Sequence, residues 1–119
     1  MTGRPHRRLV LWQKAMDFVV ETYKLTVRFP SVEKFGMVSQ IQRAAVSIPS
    51  NIAEGAARKT RKEYLQFLYV ARGSISELDT QLELALRLGY LDEHSFTSAQ
   101  ERLEELSRML SALITALSK

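Results

Sequence analysis

Two long apolar lines in the second half of the chain leave little choice of fold. From Tyr64 the residues Leu68, Ala71, Ile75, Leu78, Leu82 and Ala85 follow one another at spacings of three and four. After a break near Gly89, Phe96, Ala99, Leu103, Leu106, Leu110, Leu113 and Leu117 do the same. That is the period of a helix burying one stripe, and stripes of this length need a helical partner. Folding the second line back on the first about Leu91 sets Ile75 against Leu106, Leu78 against Leu103, Ala71 against Leu110 and Leu68 against Leu113. The register closes apolar on apolar, as it must in an antiparallel pair.

Two more helices are predicted upstream. Leu11, Ala15, Phe18, Thr22, Leu25 and Phe29 keep helical spacing, with Trp12, Met16, Val19, Tyr23 and Val27 as an adjacent stripe. So wide an apolar face exceeds what one bundle core needs and points to a second contact, such as another subunit. Pro30 ends this helix, because its ring disfavours helix at the preceding residue. Ser31 and Glu33 open the next, whose core line is Val38, Ile41, Ala45, Ile48 and Ile52, while Gln40, Arg43, Ser47, Asn51 and Glu54 occupy a different face. Pro49 inside this helix removes a backbone donor and should bend it. Gly55 reads as its stop, and Thr60 with Glu63 as a capping box for the third helix.

With 119 residues, 5 Gly and 3 Pro, the chain has room for one core and few irregular loops. The expected architecture is an all-α, up-down-up-down antiparallel four-helix bundle over residues 9–119, with helices at about 9–29, 33–57, 60–89 and 93–118. Residues 1–8 read as a flexible basic arm. Turning the third helix back on the second about Arg58 sets Gly73 opposite Ala44 and Ala45, a close approach that would explain a glycine in mid-helix.

The absence of cysteine removes disulfides and thiolate chemistry, and a reducing cytoplasm is the simplest compartment. No apolar run reaches signal-peptide or membrane-span length, so a soluble protein is expected. Up to Arg72 the chain carries 13 Lys and Arg against 5 acids; from Gly73 onward it carries 4 against 8. In the expected bundle Arg4, Arg7, Arg8, Arg58, Lys59, Arg61, Lys62 and Lys119 gather at one end, opposed by Glu54 and Glu63. Such an end suits phosphates; it equally suits a protein kept soluble by charge. Glu54 and Arg58 stand in the favourable order for an i, i+4 ion pair.

Catalysis finds no constellation. His6 and His94 lie in the arm and in an interhelical turn, neither in a Glu-x-x-His spacing, and no phosphate-loop motif occurs. No metal, cofactor or enzymatic activity is expected. Asn51, the chain's only asparagine, reads with Ser47 and Pro49 as a register device rather than a chemical group.

The runs SIPSNIAEG, followed by a basic turn, and ARGSISELDTQ carry more than periodicity. With LVLWQKAMDFVVETYKLTVRFP before them, they resemble the four-helix-bundle family of the bacterial 23S rRNA intervening-sequence proteins, over Leu9 to Leu91. That family is itself similar to the accessory variability determinant of diversity-generating retroelements, though the intervening-sequence type is the closer likeness. The resemblance implies a bundle assembled as a homopentamer with a basic surface and no enzymatic activity. In the retroelement branch it also implies association with nucleic acid and a reverse transcriptase. Its signature positions fall on Ser47, Pro49, Asn51, Glu54, Gly55, Arg72, Gly73, Ser74, Glu77 and Gln81, read as structural or assembly positions, Arg72 also as a basic contact. The leading expectation is nonspecific binding of RNA or DNA through Arg43, Arg58, Lys59, Arg61, Lys62 and Arg72. The alternative is a protein-interaction scaffold or accessory subunit without nucleic-acid contact.

Overall fold

A computed structural model describes residues 4–119. Its helices are α1 (Val10–Thr26), α2 (Met37–Ala56), α3 (Arg61–Arg87) and α4 (Glu93–Leu117), and no strand occurs among the described residues. Each helix packs on its chain neighbours and α1 closes the circle onto α4, while the diagonal pairs bring no Cα atoms within 8 Å of each other. This is the neighbour pattern of a four-helix bundle. Cross-contacts give the directions: Gln42 early in α2 reaches Thr26 at the end of α1 (3.1 Å), Gly55 near the end of α2 lies against Tyr64 near the start of α3, and Leu25 near the end of α1 shares a groove with His94 at the start of α4 while Lys14 pairs with Glu105 farther along α4 (3.1 Å). Consecutive helices therefore run antiparallel.

The apolar lines become the core. Ile41, Ile48, Ile52, Leu68, Leu78, Leu82, Leu106 and Leu110 are fully buried. Ile75 lines a shallow groove with Leu103, within a turn of the register expected from the sequence. Caps explain the sharp starts of the two long helices. The Thr60 hydroxyl accepts from the Glu63 backbone N–H (3.1 Å), and the Asp92 carboxylate accepts from that of Ser95 (2.7 Å), each satisfying an orphan donor of the first turn. Gly89, at φ 78°, supplies the left-handed residue that turns α3 toward α4.

The first half departs from expectation in four places. Helix one stops at Thr26 rather than Phe29, although Phe29 stays buried and packs on the Tyr90 ring at 5.4 Å. Its place in the periodic line reflects burial, not helix. The second helix starts at Met37; Ser31–Glu33 form a separate 3-10 turn, and a Glu33 carboxylate oxygen accepts from the Met37 N–H (3.2 Å). The other Glu33 oxygen accepts from the Tyr90 hydroxyl (2.9 Å), which holds that phenol above its ordinary pKa.

The expected flexible arm is in part a structured turn. Residues 1–3 lie outside the described residues, but Pro5–Arg8 form a 3-10 turn. Gln13 donates to the Arg7 carbonyl (2.9 Å), the His6 ring meets Trp12 edge-on at 4.8 Å, and the Arg7 guanidinium lies 5.4 Å from the centre of the Trp12 ring. Trp12 anchors what composition alone would leave loose.

The roles of two glycines are exchanged. Gly73 is exposed and a Cβ built on it meets nothing within 4 Å; it stands two residues from both Ala71 and Ile75, which puts it on the far side of α3 from the core. Gly55, expected as a stop, is buried inside α2, where a Cβ would lie 2.8 Å from Tyr64 Cδ1, 3.0 Å from Phe67 Cβ and 3.1 Å from the Tyr64 carbonyl oxygen. The close approach of α2 to α3 is real, but it occurs beside the turn and at Gly55.

Candidate nucleic-acid interface

The connection between α2 and α3 runs from Ala57 to Thr60, and its brevity follows from the Gly55 contact. With α2 pressed against Tyr64 and Phe67, the chain has only a few residues in which to reverse. Arg58 and Lys59 lie in that turn and Arg61 and Lys62 in the first turn of α3, all exposed. The α3 N-terminus adds its own positive potential beneath them. Glu63 is occupied by the capping box. The expected Glu54–Arg58 pair does not form: among the described residues the ion pairs are Lys14–Glu105, Lys24–Glu21 and Arg87–Glu83. Because α2 ends at Ala56, Arg58 has left the helix, and its guanidinium sits over the Phe67 ring at 4.7 Å instead.

The end is extended by both flanks of the chain. Arg61 donates to the backbone oxygen of Lys119 (2.8 Å), bringing that residue beside the turn. The 3-10 turn carrying Arg7 and Arg8 packs on α2, and since α1 runs antiparallel to α2 this turn lies toward the same end. The four turn cations therefore stand in a larger cationic surface, and among the described residues no Asp or Glu carboxylate lies within 4 Å of any of them.

Two of the expected basic contacts lie elsewhere. Arg43 is exposed in the first half of α2 and borders a groove of about 310 Å³ with Gln40, Ala44, Ser47, Ser74 and Glu77. Fifteen residues separate it from Arg58, roughly 20 Å along a helix. Arg72, also remote from the turn, stacks its guanidinium on Tyr69 at 4.9 Å. Sequence order had joined them to the cluster because both are basic and near it in the chain; helix rise separates them.

The signature positions between α2 and α3 form a hydrogen-bonded seam. Asn51 donates to the Ser47 carbonyl (2.8 Å) and hydroxyl (2.9 Å), and Ser74 donates to the same hydroxyl (2.8 Å). Farther along, Gln81 donates to Glu77 (3.3 Å) while its own carbonyl oxygen is buried without a partner. Pro49 is buried, and α2 continues through it to Ala56. Glu54 and Gly73 take no part in the seam. Among the described residues no group of three or more His, Asp or Glu is placed to hold a metal ion, and no helix is long and apolar enough to cross a membrane.

Known proteins place this architecture. A crystal structure of a protein of unknown function from the S23 ribosomal protein family of Bacteroides thetaiotaomicron is similar at 28% identity and a TM-score of 0.80, with 88% of this chain and 98% of that one covered. No curated protein sequence matches. The model of the 23S rRNA-intervening sequence protein family matches residues 7–112, which take in all of α1 to α3, the basic turn and most of α4. The chain belongs to the 23S rRNA-intervening sequence protein family.

Proposed function

We propose that this chain is a noncatalytic, cytoplasmic, self-associating bundle whose α2–α3 end holds RNA or DNA through the phosphate backbone. One observation carries the reading: Arg58, Lys59, Arg61 and Lys62 are exposed together and, among the described residues, no Asp or Glu carboxylate lies within 4 Å of them. Clustered, uncompensated cations bind polyanions by counterion release, which reads charge and not sequence. Assembly as a homopentamer, which the family resemblance implies, would present several such ends at once and raise avidity without new contacts. The exposed apolar stripe of α1 supports self-association.

Mobility shift over a salt series tests the binding. The wild-type chain should bind weakly and without sequence preference, with log K falling against log salt at a slope of about −3 for single strands if four phosphates are engaged. Reversing Arg58, Lys59, Arg61 and Lys62 to Glu should abolish binding; retention by that variant refutes the assignment.

A second reading, a protein scaffold, draws on a different place. In the connection between α1 and α2, Val32 is 83% and Phe35 89% exposed, and such residues suit an apolar protein contact. A partner retained in nuclease-treated lysate and lost on Phe35→Ser would favour it.

A further inference from the structure

The basic end carries more than charge. Two of its arginines lie on aromatic rings, Arg58 over Phe67 at 4.7 Å and Arg7 over Trp12 at 5.4 Å. Their backbones are pinned. The Arg58 N–H donates to the Gly55 carbonyl (3.0 Å), the Arg7 N–H donates to the Arg4 carbonyl (3.2 Å), and the Arg7 carbonyl accepts from the Gln13 side chain (2.9 Å). Both arginines are exposed, so each guanidinium rests on a ring and turns its other face to solvent.

The two stacks flank one helix terminus. Phe67 lies against Gly55 near the end of α2, on the α3 side. Trp12 is in the first turn of α1, and the 3-10 turn that carries Arg7 packs on α2. The helices that bear the rings are diagonal in the bundle, so roughly 15 Å separates their axes, the reach of a few nucleotides. Lys59, Arg61 and Lys62 are exposed at the same end.

Charge alone would favour a duplex, which carries phosphates at the higher density. A duplex, however, keeps its base faces inside the stack, where no guanidinium plane reaches them. A single strand offers those faces, and unpaired bases stack on aromatic rings and on arginine planes. Cations interleaved with planar groups therefore suit the strand whose bases are free.

We infer that the basic end is a site for single-stranded nucleic acid, with unpaired bases stacking on the outer guanidinium faces of Arg58 and Arg7 while Lys59, Arg61 and Lys62 hold the phosphates. The rings beneath keep both planes in place, so less freedom is lost on binding. Stacking of this kind tolerates any base. A third stack, Arg72 on Tyr69 at 4.9 Å, stands apart, since Arg72 is eleven residues beyond Arg61, roughly 16 Å along α3.

This inference rests on the phosphate binding proposed above, and substitutions that keep the charge separate the two. Lysine preserves the cation and removes the plane. Fluorescence anisotropy compares wild type, Arg58→Lys, Arg7→Lys and Arg72→Lys against labelled oligouridylate, oligothymidylate and an RNA duplex with the same number of phosphates. Wild type should bind both single strands more tightly than the duplex. Arg58→Lys and Arg7→Lys should each weaken single-strand binding by about fivefold to tenfold and leave duplex binding unchanged, while Arg72→Lys matches wild type throughout. A duplex bound as tightly as the single strands, or Arg58→Lys and Arg7→Lys equal to wild type, overturns the stacking and leaves phosphate binding standing. A wild type that binds none of the three probes removes both. Trp12, the chain's one tryptophan, gives a check that needs no substitution: oligouridylate should quench its emission and inorganic polyphosphate should not. An equal response to the two overturns the base contact at Arg7.

Discussion

The α2–α3 pair is held differently at its two levels. Beside the turn the contact is steric: Gly55 lies so close to Tyr64 and Phe67 that no Cβ fits. Midway along, hydrogen bonds join Asn51, Ser47 and Ser74. A missing side chain sets the distance between helices, because backbone can approach only where nothing projects. Directional bonds set the register, because a slip along the axis breaks them. The turn cations depend on the first device, since it brings α2 and α3 together over the few residues that carry Arg58 and Lys59.

The largest expected effect comes from breaking the steric level. Gly55→Val should destabilise the chain by about 3 kcal/mol, since overpacking against backbone and a ring has little room to relax. Urea unfolding measures it. Gly73→Ala is the companion: with nothing near its Cβ, it should gain roughly 0.5–1 kcal/mol from helix propensity alone. Equal costs at the two glycines would mean that the close approach is not at Gly55.

Breaking the directional level should cost less. Ser74→Ala removes a donor to Ser47 but leaves that hydroxyl its bond from Asn51, so a loss of about 1 kcal/mol is expected, read as a lowered midpoint in the same titration. A loss as large as that of Gly55→Val would make the seam, not the glycine, the principal tie.

The smallest effect sharpens the contrast from the other end of α3. Asp92 caps α4 at an exposed turn, and hydrogen bonds from Ser95, backbone first, hold its carboxyl below the usual range. Its contribution is present above the unfolded pKa and is lost as pH falls through the folded value. Melting curves from neutral to acid pH should show a small decline that Asp92→Asn, still able to cap, lacks. The α2–α3 turn is capped through the Thr60 hydroxyl, so Thr60→Ala should lower the melting curve without changing its pH dependence.

Legibility followed the same division. α3 and α4 were expected at about 60–89 and 93–118 and occur at Arg61–Arg87 and Glu93–Leu117, because caps and stripes are local. The turn cations were legible as a cluster because they are adjacent in the chain. α1 was overextended because Phe29 is buried from a non-helical position. Arg43 and Arg72 were grouped with the cluster because composition carries no distance.

By itself the sequence determined the helical content, the buried stripes, the caps and a run of cations at one reversal, all of which depend on residues within a few turns of one another. Only the tertiary structure decided which glycine admits the neighbouring helix, that Trp12 ties down the N-terminal turn, that Arg58 lies on Phe67 rather than beside Glu54, and that Arg43 stands apart from the turn cations beside a groove it shares with Glu77. These depend on the separation and rotation of helices, which periodic spacing leaves open by about a turn.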